Sequence, residues 1–334
     1  MSQSAQIIQH PGKTQKKPLQ VNKAIAPTIQ EVSDDILLGY IFGNSLSQIE
    51  VTPEKLSELF KNNNLPTDFV SSIKNHDAFR RATASVQNKR IEVMYNNALV
   101  GAKLEIDETT CDDDKIIRFL GRKIINKPNE ELNYTKIAKI IFNRHDGTLK
   151  INRNKNVLPE YPYEDILRGI KSVYENNTEY HNEKTLRNIF MKMFNNMHPV
   201  SIMENGYFKF IPKKYKETLF NMRSLMDDLS ELAPGQRLEV FPLVNTEDIN
   251  EMLLKAVNNN ASKEINAIMK DLQEGIANDV KFHAKTINTY KERFKFYKEE
   301  MLVYEELLDT SMSSLGKLLS KANRMIDTTD TQNV

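Results

Sequence analysis

The sequence predicts an α+β fold: an antiparallel meander with flanking helices, a helix–helix–hairpin segment and a long C-terminal helical arm. Three observations predict it. Apolar residues recur at every second position from about 89 to 153, whereas helical spacing governs the segments on either side. Near the C-terminus, apolar residues fall alternately three and four apart, the spacing of a coiled-coil seam.

Residues 1–30 are polar, carry Lys13, Lys16, Lys17 and Lys23 and lack apolar periodicity. They read as a disordered tail, either plainly solvated or a basic arm touching nucleic acid. A first unit spans 34–153. Its run Ile36, Leu37, Leu38, Tyr40, Ile41, Phe42 suits a buried strand. Thr52 then caps a helix with Pro53 in its first position and Glu54 in its first turn, and Leu56, Leu59 and Phe60 form its apolar face. A second short helix is expected from Thr67, with Phe69, Val70 and Ile73 inward.

The strands follow. Ile91, Val93 and Tyr95 alternate, as do Leu104 and Ile106, then 116–120, 137–142 and 149–151. Turn signals separate them at Asn96-Asn97, Cys111 to Asp114, Lys127-Pro128-Asn129 and Asp146-Gly147. Asp-Gly between alternating runs is a strong hairpin signal, so the expectation is a meander of four or five strands.

A second unit spans 159–245. Ile166, Leu167, Ile170, Val173 and Tyr174 mark one helix, and Leu186, Ile189, Phe190, Met193, Phe194 and Met197 the next, capped by Asn182 or Thr178. Asn205-Gly206 predicts a type I′ hairpin, because both central positions require positive φ. A helix over about 213–232, a break at Pro234-Gly235 and a strand from Leu238 to Val244 complete this unit. The arm, 246–327, carries the seam Ile287, Tyr290, Phe294, Tyr297, Met301, Tyr304 and Leu308, with Asn258-Asn259-Asn260 as the expected hinge. Aromatics dominate that seam, so both an antiparallel helical hairpin within the chain and association with a second copy or a helical partner are open. Residues 328–334 read as a disordered tail.

Composition narrows the function classes. Lys and Arg total 46 against 45 Asp and Glu, so any nucleic-acid contact must come from a local patch. The single cysteine, Cys111, excludes an internal disulfide framework and a multi-cysteine zinc site, which suits a reducing cytoplasm. No apolar run approaches the roughly 20 residues needed to span a bilayer, so no membrane contact is expected.

No catalytic, cofactor-binding or metal-ligating set emerges, and no cofactor is expected. The acidic stretch Asp107, Glu108, Asp112, Asp113, Asp114 lacks the glycine and terminal glutamate of a calcium loop and reads as a solvated turn. In Arg144-His145-Asp146-Gly147 the hairpin accounts for Asp146 without catalysis. The six histidines show no i, i+4 pair, and no P-loop, dinucleotide fingerprint or nucleophile elbow is present.

Two constellations carry candidate contacts. Two helices followed by a hairpin over 163–212 suit a winged-helix-like module, with Tyr207, Lys209, Lys213, Lys214 and Lys216 available to a nucleic acid or partner. The blander account divides the aromatics between core and surface. In Asp77-Ala78-Phe79-Arg80-Arg81, Phe79 anchors in the core, while Arg80 and Arg81 serve either a structural salt bridge or bidentate capture of a carboxylate or phosphate.

Asp77-Ala78-Phe79-Arg80-Arg81-Ala82-Thr83, Pro159-Glu160-Tyr161-Pro162-Tyr163, Met203 to Pro212 and Leu238 to Val244 occur in that order. As an ordered set over about residues 34–275, this resembles a family of uncharacterised bacterial and bacteriophage proteins, a domain of unknown function. The resemblance implies α+β architecture and a phage or mobile-element origin, and supplies no catalytic residue. The expected role is a non-enzymatic binding protein acting through protein contacts, self-association or nucleic-acid contacts. A metal-dependent nuclease, or another nucleic-acid enzyme, and a structural or virion-assembly protein are the alternatives.

Overall fold

The computed structural model describes residues 33, 35–95, 98–124, 134–154, 156–157, 163–203, 207–278 and 280–332. The tail over 1–30, the turns at Asn96-Asn97 and Lys127-Pro128-Asn129, and the Asn205-Gly206 tip lie outside them.

The chain opens on β1 (Leu37–Ser45), β2 (Glu50–Val51) and α1 (Pro53–Asn62). Thr52 caps α1 as its sequence demands, its hydroxyl accepting from the Lys55 amide at 3.2 Å. Instead of a second helix at Thr67 there is a single 3-10 turn over Thr67–Phe69, preceded by Pro66. Next come α2 (Asn75–Ala84), then β3 (Arg90–Tyr95), β4 (Ala98–Cys111), β5 (Lys115–Ile124), β6 (Tyr134–Asn143) and β7 (Leu149–Arg153). These five strands pair in chain order as an antiparallel meander. Gly147, at φ +70°, closes the last hairpin, with Asp146 accepting from the Thr148 amide at 2.9 Å.

The remaining elements are α3 (Tyr163–Glu179), β8 (His181–Asn182), α4 (Glu183–Asn195), β9 (Val200–Ser201), β10 (Lys209–Pro212), α5 (Lys216–Leu232) and β11 (Arg237–Val244). Three helices end the chain: α6 (Glu247–Ala277), α7 (Ala284–Leu308) and α8 (Ser313–Gln332).

A four-stranded sheet in the order β11-β1-β10-β9 forms the middle layer of a sandwich. Successive β1 side chains alternate between two cores, which is why its sequence is a continuous apolar run. Tyr40 and Phe42 join Ile211, Leu238 and Val240 against α1, α4 and α5. Leu38 and Ile41 join Phe210 and Leu243 against α6, α7 and α8. A third core lies between the meander and α2 with α3, where Phe79 is fully buried and stacks on Phe142 at 5.1 Å.

The division at 153/159 differs from that of the sheets. β1 lies far from β10 and β11 in sequence and pairs with both, because an interior strand needs partners on each side. The meander, α2 and α3 form a module inserted between β2 and β8, and those two short strands pair as a neck, Glu50 opposite Asn182.

The winged-helix reading also fails. α3 packs in the meander core and α4 in the sandwich core, so they are not a helix pair, and β10 lies between β1 and β9 instead of projecting as a wing. Asn258, Asn259 and Asn260 fall within the unbroken α6. Asn258 donates to the Leu254 carbonyl and Asn260 to that of Ser201, so two of these amides are satisfied without breaking the helix. The helix ends instead at Ala277, and α7 begins at Ala284. At the C-terminus α8 runs to Gln332 where a tail is expected, with Thr329 buried.

The seam residues Ile287, Phe294, Tyr304 and Leu308 are buried and Tyr290, Tyr297 and Met301 partly so, all in the chain's own second core. The Tyr304 hydroxyl donates to the His198 carbonyl at 3.0 Å, pinning α7 to the end of α4. Among the described residues no helix is long and apolar enough to cross a membrane.

Candidate anion-binding track at the module junction

Where the inserted module meets the sandwich, two clefts adjoin. The first, of about 490 Å³, lies between the loop Ser71–Lys74, α2 and the start of α4. Lys74, Arg80 and Arg81 line it from one side and His181, Lys184 and Thr185 from the other. The second, of about 450 Å³, shares Ile73 and Lys74 and extends past Asn75 and His76 to Arg144 and His145 in the β6–β7 turn.

The local sequence explains this placement. The apolar stripe Ala78, Phe79 and Ala82 turns one face of α2 into the meander core, which leaves Arg80 exposed and Arg81 half-buried at the junction. Asn182 caps α4 by accepting from the Thr185 amide at 3.1 Å, fixing Lys184 and Thr185 at the cleft wall. By contrast α2, with Lys74 at its N-cap position, has no side-chain cap. The Asp77 amide bonds to the Lys74 carbonyl at 2.9 Å, and the positive end of the helix dipole lies at the cleft without a side-chain acceptor.

Charge is unbalanced along the track. Lys74, Arg80 and Lys184 form no ion pair among the described residues. Arg81 is held by hydrogen bonds alone, to the Thr185 hydroxyl at 3.2 Å and the Asp77 carbonyl at 3.4 Å. Of the two lining carboxylates, Asp77 faces His76 at 3.2 Å. His181 is buried to 3 % exposure and its Nε2 has no partner. Burial pushes its pKa below the ordinary value and Arg81 adds to this, while a hydrogen bond to the Ser71 backbone and the Glu54 carboxylate oppose it. In the second cleft Arg144 Nε is likewise buried and unpartnered, while its other guanidinium end reaches Cys111 Sγ at 3.3 Å.

The sequence-derived candidates therefore separate. Arg80 and Arg81 stand in the track. Tyr207 is 94 % exposed near the β9–β10 connection, and Lys209 is half-buried, its pKa lowered by desolvation. Lys213 and Lys214 line a smaller cleft of about 320 Å³ against α7, where Lys214 pairs with Glu306 at 3.5 Å; Lys216 begins α5. Sequence reasoning missed Lys74, His181 and Lys184. Lys74 lies three residues before the flagged Asp77 segment, but His181 and Lys184 enter only through the neck and carry no local signal.

Of the acidic stretch, Asp112, Asp113 and Asp114 form the expected turn, where Asp112 accepts from the Asp114 and Lys115 amides, which hold its carboxyl below the usual range. Asp107 and Glu108 instead lie within β4, Glu108 pairing with Arg118 at 2.8 Å. His145 contacts Asp114 at 2.9 Å, not its neighbour Asp146. No cluster of three or more His, Cys, Asp or Glu suited to a metal ion occurs among the described residues.

A family model described as a family of unknown function (DUF6744) matches residues 37–333, extending the likeness through all three C-terminal helices. No curated protein and no solved structure matches the chain.

Proposed function

The chain belongs to DUF6744, a family of unknown function, and for it we propose a non-enzymatic nucleic-acid-binding role in which the junction track takes the phosphate backbone. The observation that supports the reading is the set of cations without an ion pair among the described residues, Lys74, Arg80 and Lys184, grouped around the uncapped start of α2. Two clefts sharing Lys74 suit successive phosphates of a polymer better than one small anion. With the whole chain near neutral, attraction to a polyanion has to come from local patches such as this one.

Fluorescence anisotropy with labelled single-stranded DNA, duplex DNA and RNA, at low and moderate salt, tests it. Binding should weaken with salt. Replacing Lys74, Arg80 and Lys184 by Gln should flatten the log–log salt slope by about 0.7–0.9 for each phosphate that is no longer neutralised. Lys270→Gln, exposed on α6 and paired there with Glu274, should change nothing. Absence of salt-sensitive binding, or a slope unaltered by the three substitutions, refutes the reading.

A further inference from the structure

The meander face turned away from α2 and α3 is open among the described residues, and its register creates a charge problem. Arg90 of β3 lies directly opposite Lys103 of β4, and Lys103 directly opposite Lys123 of β5. Neighbouring strands are about 4.8 Å apart, and like charges directly opposite one another destabilise a sheet. Among the described residues none of the three cations has an ion-pair partner. The row ends on Tyr134 of β6, opposite Lys123.

Beside that row is a fixed aromatic surface. The Tyr134 ring lies against Gly121, where an added Cβ would come within 2.3 Å of it, and its hydroxyl donates to Asp107. Two residues along β5, Phe119 carries the Lys136 ammonium 4.4 Å above its ring and faces Lys139 across the sheet. Lys150 extends the positive charge onto β7, opposite Ile141.

We propose that this face binds single-stranded nucleic acid, with phosphates along Arg90, Lys103 and Lys123 and bases stacked on Tyr134 and Phe119. This rests on the nucleic-acid reading of the track and adds the class of strand. Glu105 and Asp107 of β4 share this face beside Tyr134, yet no carboxylate pairs with the row among the described residues, so an anion along it would relieve the repulsion. Aromatic rings on an open sheet stack only on bases that are not already paired, which favours a single strand over a duplex.

The test uses the full chain and the same labelled oligonucleotides, with the variants Tyr134→Leu and Lys103→Gln/Lys123→Gln. The double variant should melt no lower than wild type, since it removes repulsion. It should nevertheless flatten the single-strand salt slope by about 1.4. Tyr134→Leu should weaken single-strand binding roughly 5- to 150-fold and leave duplex binding unchanged. If the track variants weaken binding but these sheet variants do not, the sheet inference falls and the track stands. If wild type binds no nucleic acid, both fall. If sedimentation shows a dimer that the sheet variants dissociate, the face is a self-interface and the inference is overturned.

Discussion

Replacing Glu300 by Gln should remove a pH-dependent weakness from the C-terminal helices. Glu300 sits on α7 at 3 % exposure, with Oε2 unpartnered and no salt bridge among the described residues. Burial raises its pKa from 4.5 to about 8, and the phenols it influences, Tyr297 and Tyr304, are also raised. The folded state thus holds a proton that the unfolded chain releases near pH 4.5. Stability is full below that pH, falls as pH rises to about 8, and is flat beyond. At 1.36 kcal/mol per pH unit, the loss across the window is about 5 kcal/mol. Gln cannot ionise, so its variant should lack this slope. Urea denaturation followed by circular dichroism at pH 5, 7 and 8.5 measures both proteins. Parallel pH dependences would refute the reasoning, because titration elsewhere in the chain is common to the two.

Two further outcomes concern the elements that position the candidate surfaces. Thr52→Ala removes the cap of α1 and should cost about 1 kcal/mol in the urea midpoint, with no change in oligonucleotide binding. Gly121→Ala would drive a Cβ into the Tyr134 ring and should cost about 1–3 kcal/mol. It should also lower the Tyr134 phenol pKa, now raised by burial and by the bond to Asp107, which ultraviolet difference titration would detect.

Local chemistry was legible in the sequence and long-range pairing was not. Thr52, Pro53 and Glu54 state a helix start within three residues, and Asp146-Gly147 states a turn, because each depends only on its immediate neighbours. The α+β class and the order of the meander followed from the same local periodicities. Nothing near β1 indicates that Phe42 meets Lys209 on one side and Val240 on the other. The winged-helix expectation failed for the same reason: Tyr174 and Leu186 both lie on amphipathic helices, and periodicity does not say that their apolar faces enter different cores. Arg80 and Arg81 were visible as a pair, but His181 and Lys184, which face them, arrive through a two-residue neck.

The insertion of the meander between β2 and β8 sets the order in which the chain becomes stable during synthesis. The meander pairs only with its sequence neighbours and is complete soon after it leaves the ribosome. β1 emerges earlier, yet its partners in β10 and β11 come only after the whole inserted module has been made. At about 5–20 residues per second, that delay is on the order of ten to thirty seconds. Throughout it the segment Leu37–Phe42 presents an apolar, unpaired strand, the kind of segment that chaperones bind and that aggregates when they do not.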